Sequence, residues 1–189
     1  MRKNFKNNQG GPILYPQPVF IIAAYGDDGV PNAMNVAWGG ISEYDELSFC
    51  VSNDHKTTEN ILARKAFTVS MADADHVAEC DYLGIVSGND VPDKMEKIGF
   101  HCTKSEFVDA PIIEELPMTV ECTLVSYDKE SCRLVGRIVN VSADERILAE
   151  NGKIDPQKLR PITFDAVNHA YLVIGEQVGN AFRDGLKFK

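Results

Sequence analysis

The sequence predicts a mainly β protein: an antiparallel barrel, closed or nearly closed, with two or three helices inserted between its strands. Three observations carry this. Six or seven short runs rich in β-branched and aromatic residues recur along the chain, most of them bounded by Gly, Pro, Asp or Asn. Helical stretches fall irregularly between them, without the regular β-α-β alternation of dinucleotide-type folds. At 189 residues, a chain buries roughly 70% of its unfolded surface and needs no disulfide or metal staple. Residues 1–189 are therefore expected to form a single domain.

The elements follow in order. Val19 to Tyr25 is a short β-branched and aromatic run, with Pro18 before it and a Gly26-Asp-Asp-Gly29 turn behind. That turn predicts a hairpin into a second strand, Asn32 to Gly40. Glu46 to Ser52 alternates, with Leu47, Phe49 and Val51 on one face. Residues 55–65 (HKTTENILARK) read as a helix, with Thr57 or Thr58 as its N-cap. Ala66 to Ala72 returns to strand, and Ala74 to Leu83 is helical.

Gly84 to Pro117 is long, irregular and rich in Gly, Asp and Pro. Loops of that length are functional or carry short elements of their own. Met118 to Tyr127 and Arg133 to Ser142 are two further strands joined by a polar turn, Asp128 to Ser131. Residues 144–160 read as a surface excursion with a short helix. Ala170 to Ile174 is the last expected strand, before a glycine-spaced tail.

Composition narrows the class. With 44% hydrophobic and 25% charged residues the chain is neither disordered nor collagen-like. Its longest apolar run, Val19 to Tyr25, falls far below the roughly 18 residues of a spanning helix. The N-terminal MRKNFKNNQGG has basic residues but no apolar stretch behind them, so no secretion signal is expected. A soluble, cytoplasmic protein without membrane contact is the expectation. The balance of 19 basic against 28 acidic residues gives a net charge of -9, which repels a nucleic-acid backbone. A phosphate-bearing ligand would need a local cluster of donors. The five cysteines are odd in number and lack CxxC spacing, as expected of reduced, mostly buried thiols, with a redox or metal role as the alternative.

Several chemistries have no motif here. The chain lacks GxGxxG, a phosphate loop ending in Gly-Lys-Ser/Thr, and HExxH. Gly84-Ile-Val-Ser87-Gly88 approaches a nucleophile elbow, but its serine comes one place late. The four histidines are scattered, so no metal site is expected. Two segments remain. His55-Lys56-Thr57-Thr58 opens a helix after a strand, where free N–H groups, two hydroxyls and an ammonium could gather an anion; an ordinary cap with a solvated lysine fits equally. Pro31 to Gly40 (PNAMNVAWGG) could hold a flat polar ring through its amides, or could simply be a core strand packed by Trp38.

Taken together, PNAMNVAWGG at 31–40, SNDHKTTENI at 52–61, FTVSM at 67–71 and DYLGIVSGNDVPDK at 81–94 resemble the flavin reductase-like FMN-binding split-barrel family, its flavoredoxin branch in particular. The likeness spans about residues 13–130, with a weaker echo in the Gly175 to Gly185 tail. It implies a Greek-key-like split β-barrel and a homodimer with FMN near the subunit interface. By that resemblance Asn32, Asn35, Val36, Ala37 and Trp38 would lie along the isoalloxazine and ribityl chain. Ser52, Asn53, Lys56 and Thr57 would hold the ribityl and phosphate end. Ser70 and Met71 would follow the next strand toward the flavin, and Ser87 and Lys94 belong to the loop closing over it. Many relatives carry an arginine-histidine pair where this chain has His55-Lys56, which keeps the charge but loses bidentate geometry.

The resemblance implies an oxidoreductase passing electrons from NADH or NADPH through FMN to an acceptor. No side chain is needed as acid or base, because the hydride chemistry belongs to the cofactor. The alternatives are an electron-transfer flavoprotein reduced by a redox partner protein, and a cofactor-free binding module that keeps only the barrel.

Overall fold

A computed structural model describes residues 2–5 and 13–189. The N-terminal stretch read for a secretion signal lies largely outside the described residues. The first strand, β1 (Phe20–Tyr25), explains its own composition. Phe20, Ile22 and Ala24 face one apolar core while Ile21 and Ala23 face another, so the strand is covered on both sides. A strand buried on both faces reads as a continuous apolar run rather than an alternating one.

Around β1 the chain builds a seven-stranded antiparallel sheet. Its other members are β2 (Pro31–Val36), β3 (Gly39–Glu43), β4 (Glu46–Cys50), β5 (Ala66–Met71), β8 (Met118–Asp128) and β9 (Arg133–Ala143). The order is β2-β1-β5-β8-β9-β4-β3, so the two edge strands are consecutive in sequence. The β1–β2 hairpin closes through Gly26 N–H on the Val30 carbonyl at 2.8 Å, and Gly29 supplies φ +81°. The sheet curls into a half-barrel, in keeping with the predicted mainly β barrel.

Inside the curl, Phe20, Phe49 and Phe67 stack edge to face, with ring centroids 5.4 and 6.5 Å apart. Two glycines permit this. A Cβ on Gly39 would stand 2.2 Å from Phe49 Cδ1, and one on Gly136 2.2 Å from Phe67 Cζ. The helix α1 (Lys56–Arg64) adds Ile61 to the same core. On the outer face, Ile21, Ala23 and Ala33 pack against Cys80 and Leu83 of α2 (Val77–Ile85) and Met95 of the one-turn α3 (Lys94–Lys97).

Several expected boundaries need correction. Asn32 to Gly40 is not one strand. It breaks at Ala37 and Trp38, and the Trp38 carbonyl instead accepts from Cys50 N–H at 2.8 Å. The α1 N-cap is His55 in extended backbone, whereas Thr57 and Thr58 are buried in the first turn. The second helix starts at Val77 rather than Ala74, because Asp73 Oδ1 accepts the N–H groups of Asp75 and His76 at 3.0 and 2.9 Å and holds a turn there. The long 84–117 segment carries α3 and a small hairpin, β6 (Cys102–Lys104) and β7 (Pro111–Ile113). Residues 144–160 hold a 3-10 turn and α4 (Pro156–Leu159). The last expected strand, β11 (Ala170–Val173), pairs with β10 (Ile162–Asp165), which had no sequence expectation. Among the described residues no helix is long and apolar enough to cross a membrane.

Replacing Gly136 with Ala should lower stability by about 1–3 kcal/mol, because the buried Phe67 ring cannot move aside without opening the core. Denaturant unfolding checks this; an unchanged midpoint would show that the ring yields.

Candidate functional site

The outer edge of β2 borders a groove of two adjoining chambers. The first, of ≈ 230 Å³, lies between β2, the N-terminus of α1, and the end of α2 with the loop that follows it. It brings together Asn32, Asn35, Lys56, Thr57, Ser87 and Lys94, which the sequence had singled out from separate segments. The second, of ≈ 400 Å³, runs on past Asn35 to Val36, Ala37 and Trp38, and is completed by Cys50, Asp81, Phe164 and Tyr171. His55, Gly84 and Ile85 border both chambers.

The electrostatic centre of the first chamber is Lys94. It is 1% exposed, yet its ammonium touches no carboxylate. It donates to the carbonyls of Leu83 and Val86, at 3.4 and 3.1 Å, where α2 ends. The negative end of the helix dipole and two orphan carbonyls thus hold a cation in place. Burial lowers its pKa from 10.5 to about 8. Lys56 differs: it is half-buried and pairs with Glu59 at 2.8 Å.

Asn32 gives the second signal. Its amide nitrogen donates to Thr57 Oγ1 at 2.6 Å, which ties β2 to the start of α1. Among the described residues its Oδ1 has no partner and is buried, although Asn32 lines the chamber. An orphaned buried acceptor costs about 1–3 kcal/mol, so it fits a ligand hydroxyl or N–H. Gly88 is required beside it, since a Cβ there would stand 2.1 Å from that oxygen. Asn35 donates to the Cys80 carbonyl at 3.1 Å, which fixes its amide along the groove. Ser87 accepts from Asn89 N–H at 3.1 Å and stays exposed at the rim.

The second chamber has aromatic walls. Trp38 is 53% exposed, so it is a groove wall rather than core packing. Phe164 and Tyr171 stand 5.9 Å apart, and the Tyr171 hydroxyl donates to Asp81 at 2.7 Å. Burial, then Asp81, pushes Tyr171 up to about 12. Sequence gives little sign of this wall: Asp81 opens the quoted 81–94 motif without a role assigned to it, and Phe164 and Tyr171 come from distant segments that belong to no motif. His55 and Gly88 lay inside quoted motifs but were given no role in the groove.

Four expected site residues do not line the groove. Ser52 and Asn53 sit in the turn after β4, and the Ser52 hydroxyl holds the Asp54 carboxyl below its ordinary range. Ser70 is fully buried, its hydroxyl 2.9 Å from Thr119 Oγ1, and Met71 packs against the barrel core. Of the residues that do line the groove, Val36 places its side chain in that same core.

Comparison with known proteins places the chain in a family. Residues 13–161 match the flavin reductase like domain family. The structure is similar to flavoredoxin of Desulfovibrio vulgaris (Miyazaki F), with a TM-score of 0.91 and 32% identity over 98% of this chain and 100% of that one. It is also similar to flavoredoxin from Methanosarcina acetivorans, with a TM-score of 0.87 and 26% identity over 100% of both chains. In sequence, an uncharacterized protein of Aquifex aeolicus is 26% identical over 162 residues, 79% of this chain and 81% of that protein.

The dehydrated Lys94 gives a pH-dependent stability. Below about pH 8 both folded and unfolded chains hold its proton; between about 8 and 10.5 the folded chain releases it first. Relative to Lys94→Met, the wild-type protein should therefore gain stability as pH rises through that window, by about 3 kcal/mol in all. Urea unfolding of both proteins at several pH values measures the difference. A gap that stays constant with pH would mean that the ammonium is well solvated.

Proposed function

The chain belongs to the flavin reductase-like domain family, whose business is flavin oxidoreduction and electron transfer, and on that premise we propose that it binds FMN in the β2 groove and passes electrons from NADH or NADPH to an acceptor. The observation that carries this reading is the buried Lys94 ammonium, which opens on the groove without a carboxylate to neutralise it. Bound FMN would supply the two-electron chemistry, accepting a hydride and releasing electrons to the acceptor.

The chain's own residues supply position and charge. The first N–H groups of α1, with Lys56 and Thr57, suit the phosphate of FMN. The Ser87 hydroxyl and the Gly88 backbone would close over it. The orphaned Asn32 Oδ1 suits a ribityl hydroxyl, and Asn35, Ala37 and the Trp38 wall would orient the ring. Lys94, held by the Leu83 and Val86 carbonyls, would supply a fixed positive charge to stabilise the negative charge of a reduced ring. The aromatic chamber leaves room for the nicotinamide or the acceptor beside the flavin. Residues 1–189 act as one domain in this reading, as a cytoplasmic homodimer with the flavin near the subunit interface.

A second reading is a pure electron carrier, without a nicotinamide site and reduced by a partner protein. The net charge of -9 favours docking to a basic partner. A visible spectrum with added FMN, repeated anaerobically after NADPH and then NADH, separates the two. Bleaching by either nucleotide supports the reductase; bound flavin that stays yellow supports the carrier; no retained flavin rejects both.

Two substitutions test the residue assignments. Lys56→Ala should weaken FMN binding by about tenfold or more through loss of a charge-assisted phosphate contact. Lys94→Met should move the potential of the bound flavin to a more negative value. Unchanged affinity or unchanged potential would remove the corresponding role.

A further inference from the structure

The five thiols divide by position. Cys80 and Cys122 are buried and Cys102 is half-buried, and burial pushes all three up to about 12. Such thiols are poor nucleophiles. Cys50 and Cys132 differ. Cys50 is exposed, ends β4 and lines the aromatic chamber beside Trp38. Cys132 is half-buried and directly precedes β9.

The sheet brings these two together. Arg133 is the cross-strand partner of Cys50, and Val51 N–H donates to the Cys132 carbonyl at 2.8 Å. Cys50 and Cys132 are therefore diagonal neighbours across adjacent chain segments, a relation that in a regular antiparallel ladder sets α-carbons roughly 6 Å apart, inside the span of a disulfide. A regular ladder would send their side chains to opposite faces. Cys132 does not follow that regular backbone: it precedes β9 and has a left-handed φ of +56°. This conformation is uncommon for a residue with a Cβ, and such outliers concentrate at functional sites.

Both thiols lie against one turn. Cys50 Sγ is 3.9 Å from the Ser131 carbonyl and Cys132 Sγ is 3.8 Å from that of Lys129. These long contacts hold neither sulfur firmly. The Tyr127 hydroxyl donates to the Val51 carbonyl at 3.0 Å, and Val51 is the residue that follows Cys50 and donates its N–H to the Cys132 carbonyl.

We propose that Cys50 and Cys132 form a reversible disulfide at the edge of the groove, through which two electrons pass from the bound flavin to a small-molecule disulfide. The inference rests on the flavin reading above. In the first half, the Cys50–Cys132 bond breaks as it takes two electrons from the reduced flavin, and two protons complete the thiols. In the second half, the exposed Cys50 thiolate attacks one sulfur of the substrate, forming a mixed disulfide and expelling one thiolate. Cys132 then displaces the other thiolate and restores the internal bond. The net change is one disulfide, two electrons and two protons converted into two thiols.

Two measurements on the full chain test this. In the first, the protein without flavin is equilibrated in glutathione redox buffers, quenched with acid, alkylated and mapped by peptide mass. The expected result is a reversible Cys50–Cys132 link with Cys80, Cys102 and Cys122 alkylated, while Cys132→Ser traps Cys50 as a mixed disulfide with glutathione. Absence of the internal link at every potential overturns the proposal. In the second, the oxidised, flavin-loaded protein is titrated anaerobically with a reductant. Four electrons per chain are expected for the wild-type protein, and two for Cys50→Ser. An uptake of two by the wild-type protein, with the disulfide intact, overturns the relay while leaving the flavin site standing. A chain that takes up no flavin overturns both, whatever the mapping shows.

Discussion

Only Ala37 and Trp38 separate the two edge strands of the seven-stranded sheet. So short a link spans roughly 10 Å at most, so β2 and β3 cannot lie at opposite ends of a flat sheet. The sheet must curl, and its curvature brings Phe20, Phe49 and Phe67 together in a single core. It also requires Gly39 and Gly136 where backbone meets aromatic ring. Because the edges approach without pairing, β2 keeps a free side against which α1, α2 and α3 form the groove. The site is a consequence of how the barrel fails to close.

The strands buried on both faces were legible because their composition has few other uses. VFIIAAY and AFTVSMA read as strands from the residues alone. The break inside Pro31 to Gly40 was not legible, since its residues suit extended backbone throughout and the corner depends on where β4 offers a partner for Trp38. The three-residue strands β6 and β7 exist only because the surrounding fold presents them to one another. In the groove, residues from two contiguous motifs do come together, including Asn32, Asn35, Lys56 and Thr57. Proximity in sequence does not bring Ser70 and Met71 to the groove lining, since a residue's place on a strand's two faces decides what it meets. It failed for Asp81, Phe164 and Tyr171, which only the folded chain brings side by side.

The charge of the whole chain and the charge of the groove have opposite signs. A net -9 would discourage an anionic ligand, but long-range fields are screened over about 10 Å in salt. What a ligand meets inside is Lys94, held by carbonyls alone, and Lys56, shared with Glu59. One lysine is buried and held by carbonyls, the other half-buried and paired with a carboxylate. On the proposed reading the first would tune a bound ring and the second would capture a phosphate, a division of labour that residue type alone does not reveal.

The unpaired gap between β2 and β3 also bears on how a guest of FMN's length could enter. Widening the gap breaks no hydrogen bond of the sheet ladder, because none crosses it. The corner itself is tied on both sides, by Gln17 Nε2 donating to the Ala37 carbonyl at 3.3 Å and by Cys50 N–H donating to the Trp38 carbonyl at 2.8 Å. A fully closed barrel would have to sever a ladder to admit the same guest. Here the entrance can breathe while the aromatic core stays packed, so admission and structural integrity rest on separate sets of bonds.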